Sequence, residues 1–153
     1  MKKTCFICGT PVLELPFGYD EEDELCTMIK LRISQIVSQL ITVGVTEFIT
    51  DCEFGVPLWG AEIVLAHKIF RPDVLLRTYL PYENQAAKWT PDWRRRYFDI
   101  QKNADDCVIY NNSGLCMQSL NDDADIVLYI GNDSNLRGGD LFIKKKIIYI
   151  IAI

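Results

Sequence analysis

Glu47-Phe48-Ile49-Thr50-Asp51-Cys52-Glu53-Phe54-Gly55-Val56-Pro57-Leu58-Trp59-Gly60-Ala61-Glu62-Ile63-Val64-Leu65 carries the strongest structural signal in the chain. A short apolar run ends in Thr50-Asp51, a turn with Gly55 follows, and a helix opens at Val56-Pro57. Proline suits a first helical turn, where its missing N–H would have no partner anyway. The result is a strand–loop–helix junction. Open α/β proteins bind their ligands at such junctions, outside the carboxyl ends of the strands.

The same alternation extends both ways from this junction. Lys3–Cys8 reads as a strand ending at Gly9, and Pro11–Gly18 as a loop. Asp20 can cap the next helix, and Glu21, Glu22 and Asp23 suit its dipole. Leu25, Met28, Ile29, Ile33, Ile36, Val37 and Leu40 recur at helical spacing to about Thr42, and Gly44 stops the helix. Phe48–Thr50 is a second strand and Val56–Phe70 a second helix. Val74–Leu80 is a third strand, halted by Pro81. Tyr82–Trp89 and Pro91–Asn103 read as a short and a longer helix. Cys107–Tyr110, Ile126–Ile130 and Ile147–Ile153 supply three more strands. Apolar strands alternating with amphipathic helices predict an α/β fold with a parallel sheet covered on both faces. No repeat, linker or low-complexity segment interrupts the pattern, so residues 1–153 are expected to form one domain.

Composition excludes several classes. The 153 residues are 49% hydrophobic, enough to build a full core. Sixteen basic against twenty-one acidic residues give a net charge of −5, which argues against a broad nucleic-acid surface despite Arg94-Arg95-Arg96. The amino-terminal run lacks the apolar core of a signal peptide. Ile147–Ile153 is far shorter than the roughly 20 residues that span a bilayer. A cytoplasmic location, with neither membrane nor nucleic-acid partner, is the expectation. Cys5-x-x-Cys8 invites a metal or redox reading. Three positions along a strand, however, place side chains on opposite faces about 10 Å apart, too far for a disulfide or a shared ion. Buried reduced thiols rather than a metal or redox site are expected, and no cofactor is implied.

Several segments together resemble the YpsA-like branch of the SLOG superfamily, a Rossmann-like group proposed to bind nucleotides or nucleotide-derived signals. They are Gly9 with Leu15-Pro16-Phe17-Gly18-Tyr19-Asp20-Glu21-Glu22-Asp23, and Gly55-Val56-Pro57-Leu58-Trp59-Gly60-Ala61-Glu62. Pro81-Tyr82-Glu83-Asn84-Gln85 with Trp89, Ala104-Asp105, and Gly131 through Gly138-Gly139 complete the set. The resemblance covers about residues 4–153. It implies a three-layer α/β/α fold with a mostly parallel sheet of about six strands, and a binding site at the carboxyl edge. The departures are specific. Pro11 stands where the family usually has arginine, Asp51 where it has glycine, and Pro57 where it has an acid. Asp140 replaces a threonine that usually opens a long helix. The segment after Cys116-Met117 looks short, as if a helix were missing.

Glycines at strand–helix turns let backbone amides approach a phosphate, and a helix N-terminus adds partial positive charge. Gly9, Gly55, Gly131, Gly138 and Gly139 are the candidates, with Thr10 and Asn132 beside them. Asp51 and Asp140 work against an anion at the same rim, although Arg137 could compensate. Like charges at about 4 Å cost roughly 1 kcal/mol in water and about 4 kcal/mol at an effective dielectric near 20. A helix terminus supplies only about 0.3–1 kcal/mol. Trp59 and Glu62 share a helix face that the resemblance turns toward the pocket. Asn84, Gln85 and Trp89 follow the third strand and could read or stack on a base. His67, the single histidine, sits near a helix C-terminus, so no nucleophile–base pair can be assembled. Glu62 is the one weak catalytic candidate, for hydrolysis of a nucleotide glycosidic bond.

These residues favour a small-molecule binding domain for a nucleotide or nucleotide derivative over an enzyme. The competing expectation is a degenerate relative that has lost its ligand and acts through protein contacts, as a homodimer.

Overall fold

A computed structural model of the chain describes residues 3–131 in full and residues 147–151 as backbone. The elements in order are β1 (Lys3–Gly9), α1 (Glu24–Thr42), β2 (Val45–Thr50), α2 (Val56–Lys68), β3 (Leu75–Leu80), α3 (Pro91–Asn103), β4 (Asp106–Ile109), α4 (Ser113–Asp123), β5 (Ile126–Ile130) and β6 (Ile147–Ile151). A 3-10 turn at Val12–Glu14 follows β1. The six strands form one sheet in the order β4-β3-β2-β1-β5-β6. Every neighbouring pair is parallel. The fold is the expected Rossmann-like three-layer α/β arrangement.

The topology follows from chain direction. Strands β1 to β4 step outward along one half of the sheet, and the chain then returns to place β5 on the other side of β1. Right-handed crossovers therefore put α1, α2 and α3 on one face and α4 on the other. Contacts between α1 and α2, between α2 and α3, and of α4 with β1 and β3 show the two layers. The reversal next to β1 is a topological switch point, where loops diverge and leave a crevice.

Strand side chains divide by parity between the two faces. Cys5, Ile7, Phe48 and Leu76 join the large core under α1–α3. Phe6, Ile49 and Tyr79 join a small cluster with Cys116, Leu120 and Ala124 under α4. Cys5 and Cys8 fall on opposite sides by the same rule, Cys8 packing against the smaller cluster. All six cysteines are free. No described helix is long and apolar enough to cross a membrane.

Two local expectations are corrected. Asp23, not Asp20, caps α1, accepting the Leu25 N–H at 2.8 Å; Asp20 instead closes a turn by accepting from Glu22 N. Residues 82–89 form successive turns rather than a helix. A helix that the sequence reading did not assign, α4, starts at Ser113 and is capped by Asn112, whose side chain accepts from Leu115 N at 3.0 Å. Only Cys116 and Leu120 of it are buried, so its apolar stripe is too thin to announce a helix by period.

Candidate functional site

The carboxyl edge is built from the ends of β1, β2 and β5. Thr10 continues β1 past its last paired residue and donates its N–H to Ile130 O at 2.9 Å. Its hydroxyl lies 3.2 Å from Tyr129 OH. Gly131 backs directly onto this threonine: a Cβ there would lie 1.9 Å from Thr10 Oγ1, and φ is +151°. At Gly9 a Cβ would lie 2.6 Å from Ile130 O. These two glycines therefore let the ends of β1 and β5 close against each other. That packing role needs no phosphate.

The β2–α2 junction has its own scaffold. Thr50 Oγ1 donates to Pro57 O at 3.2 Å and accepts from Cys52 N at 3.3 Å. Asp51 Oδ1 accepts from Glu53 N at 3.0 Å. Cys52 has φ +57°, a conformation that non-glycine residues rarely hold. Gly55 caps α2 at φ +116° and packs on Val12, from which an added Cβ would be 3.1 Å.

Two cavities open at this rim. The inner one, about 250 Å³, is lined by Cys8, Gly9, Thr10, Asp51, Pro57 and Tyr129 among others. The outer one, about 840 Å³, is lined by Tyr19, Phe54, Lys88, Trp89, Thr90 and Trp93 among others. Pro11, Glu53 and Phe54 border both. The outer cavity is mainly aromatic. Tyr19 and Trp89 lie 5.1 and 5.2 Å from the Phe54 ring, centroid to centroid, and Trp93 meets Phe54 edge-on.

The inner cavity is acidic. Burial pushes the Asp51 carboxyl up to about 6; the Glu53 N–H opposes the shift and the Glu53 carboxylate adds to it. Burial, with the Asp51 charge, likewise holds Cys8 well above the ordinary thiol range, so it is a thiol and not a thiolate at neutral pH. Among the described residues, those lining this cavity include no lysine or arginine. Two of the first three amides of α2 are not available to an anion. Pro57 has no N–H, Leu58 N donates to Glu53 O and Trp59 N to Gly55 O. Among the described residues no group of three His, Cys, Asp or Glu side chains could hold a metal ion.

The anticipated residues separate into those at the rim and those elsewhere. Gly9, Thr10 and Asp51 line the inner cavity, and Trp89 lines the outer one. Gly55 and Gly131 shape the rim through packing. Trp59 is 1% exposed in the core, its indole N–H donating to Glu21 at 2.9 Å. Glu62 pairs with Arg96 at 2.7 Å and lines neither cavity. Both point toward α1 and α3, so the helix face they share is turned away from the pocket. Asn84 is exposed and lines neither cavity. Gln85 donates to Asp51 O and to Glu53, and accepts from Tyr97 OH, which makes it a brace for the β2–α2 loop. His67 bonds Ser34 at 2.9 Å. Asn132, Gly138, Gly139, Asp140 and Arg137 lie outside the described residues.

Sequence reasoning missed the aromatic lining contributed by Tyr19, Phe54 and Trp93. The available signal was Phe54 beside Gly55 at the junction; Tyr19 and Trp93 come to it only through tertiary packing.

A parallel, switch-point sheet with cavities at its carboxyl edge defines a Rossmann-like fold of the ligand-binding kind. The chain belongs to the YspA SLOG family (YpsA), whose model matches residues 5–123. It is similar to UPF0398 protein BH1768 of Halalkalibacterium halodurans, 35% identical over 79 residues, covering 52% of this chain and 42% of the relative. UPF0398 protein SSP1297 of Staphylococcus saprophyticus is 30% identical over 105 residues, 69% of this chain and 55% of the relative. UPF0398 protein OB1025 of Oceanobacillus iheyensis is 29% identical over 103 residues, 67% and 55% respectively. The chain spans about half the length of these relatives.

Proposed function

We propose that this domain binds a nucleotide or nucleotide-derived small molecule at the carboxyl edge of its sheet, without catalysing a reaction. The supporting observation is the pair of adjoining cavities at the switch point, one rich in aromatic rings and one largely apolar but bordered by Thr10, Asp51, Glu53 and Tyr129. Largely apolar pockets with a few convergent polar groups are the usual form of small-molecule sites. Aromatic rings such as Trp89 offer a stacking surface that accepts any base, worth about 1–3 kcal/mol per base. Thr10, Asp51 and Tyr129 supply hydrogen-bonding groups beyond it. Glycosidic hydrolysis by Glu62 is not favoured, because its carboxylate is engaged by Arg96.

Thermal denaturation with nucleosides, ATP, NAD, ADP-ribose and cyclic nucleotides tests the reading. A site filled at 100 times its Kd adds about 2.7 kcal/mol, a clear rise in Tm. No shift with any of them contradicts it.

A second reading is a degenerate member that acts through protein contacts, as a homodimer. It is favoured by the loss of the Pro57 and Leu58 amides at the start of α2 and by the thin α4 layer, where Ile109 and Leu115 stay exposed. Light scattering that finds only monomer at high concentration removes the homodimer. A cytoplasmic location is part of the proposal, in keeping with six free thiols.

A further inference from the structure

We propose that the cleft selects a nucleoside over its phosphorylated forms, taking the base in the aromatic outer cavity and the hydroxyl-bearing sugar against Asp51 and Glu53 in the inner one. This rests on the small-molecule reading above and specifies the ligand class at that site.

Three independent features lead to it. First, the two cavities share Glu53 and Phe54, so one ligand can occupy both. Their joint shape suits an aromatic ring joined to a compact polar group. Second, the inner polar groups favour neutral donors. Asp51 uses one carboxyl oxygen for the Glu53 N–H. Carboxylates accept hydrogen bonds through several lone pairs, so Asp51 keeps capacity for a donor. Sugar hydroxyls are such donors, and a phosphate at neutral pH is not.

Third, among the described residues this rim holds little that normally attracts a phosphate. Pro57 removes one first-turn amide, and Leu58 and Trp59 spend theirs on Glu53 O and Gly55 O. Pro11 follows Thr10 and likewise lacks an N–H. Lys88, the one cation among the described residues lining either cavity, is in the outer one. The three arginines of α3 are engaged elsewhere. Arg96 binds Glu21 and Glu62, Arg95 pairs with Asp92 and Asp99, and Arg94 donates to Ala87 O. A phosphate entering the inner cavity would meet two carboxylates with no compensating charge among the described lining residues.

Isothermal titration calorimetry of the full chain at pH 7.5 and low salt tests this with adenosine, guanosine, cytidine and uridine against their 5′-monophosphates and 5′-diphosphates. The expected result is at least tenfold tighter binding of one nucleoside than of its monophosphate, equal to about 1.4 kcal/mol. Asp51→Asn and Glu53→Gln should each narrow that ratio, since each removes a negative charge and keeps the side chain's size. Raising the salt concentration should narrow it as well. Monophosphates binding as tightly as nucleosides, or a ratio unmoved in both variants, overturns the selectivity while leaving the binding site intact. No heat with any member of either series overturns the parent reading instead. Circular dichroism of both variants checks that a changed ratio is not a folding defect.

Discussion

Asp51 is subject to burial and to the charge of Glu53 at once, and both favour its proton. Its folded pKa of about 6 lies above the ordinary 3.8. Between those values the folded chain holds a proton that the unfolded chain has lost. Stability from this residue is therefore greatest at low pH and falls as pH rises from about 4 to about 6. Above that window the ionised carboxylate is a cost. Asp51→Asn should stabilise the fold at pH 7.5 by roughly 1–3 kcal/mol and change little at pH 4. Urea unfolding at the two pH values measures this, and an equal effect at both would refute the assignment. Gly131 offers a second residue-scale check. Gly131→Ala combines positive φ with a clash against Thr10, and should cost about 2 kcal/mol or more. Gly18→Ala, at φ +56° with nothing within 4 Å, should cost only about 1 kcal/mol. Matched midpoints in urea would deny the close packing at Gly131. The glycines stood out in the sequence as turn residues. Their packing role was hidden, because it depends on β1 and β5 lying side by side.

Arg96 of α3 joins three elements of the helical layer. It binds Glu21, in the loop before α1, at 2.7 Å and Glu62 of α2 at 2.7 Å, while its guanidinium lies 4.9 Å from the Trp93 ring. Lys30 of α1 adds a bond to Glu21 at 2.9 Å. Burial alone would raise the Glu21 pKa, but hydrogen bonds from Arg96 and Lys30 outweigh it and hold the carboxyl below its usual range. That contribution is present above the unfolded carboxylate pKa and is lost as pH falls through the lower folded one. Arg96→Met should destabilise by roughly 2–4 kcal/mol at pH 7, because it leaves Glu62 without this partner and Glu21 with only Lys30 and the Trp59 indole. The loss should shrink at pH 3. Chemical denaturation at both pH values measures it, and a pH-independent loss would mean that packing, not charge, is what Arg96 provides. This network fixes the surroundings of Trp59 and Glu62. Their shared helix face was legible, but which way it looks is set by α3 and by Glu21. The α4 helix was illegible for the opposite reason, having two buried side chains and a glycine at its second position. Leu120→Ala should cost about 2–5 kcal/mol if α4 packs as described; a loss under 1 kcal/mol would mean that this layer contributes little.

For the whole molecule, parallel strand pairing is what assembles the cleft. It carries the loops after β1, β2 and β3 and the start of α3 to one edge, so Thr10, Asp51, Phe54, Trp89 and Trp93 converge from separate segments. The strands were legible because fully covered strands read as continuous apolar runs. Their order was legible only as a class, and the aromatic lining not at all, since nothing local in the sequence joins Tyr19 to Trp93. The central claim is that this edge holds the ligand. Amide chemical-shift mapping by NMR, with the tightest-binding nucleoside or nucleotide added, tests it most directly. Shifts concentrated at residues 9–12, 51–55 and 88–93 are predicted. Shifts centred instead on the opposite, amino-terminal edge of the sheet, or none at saturating ligand, would contradict it.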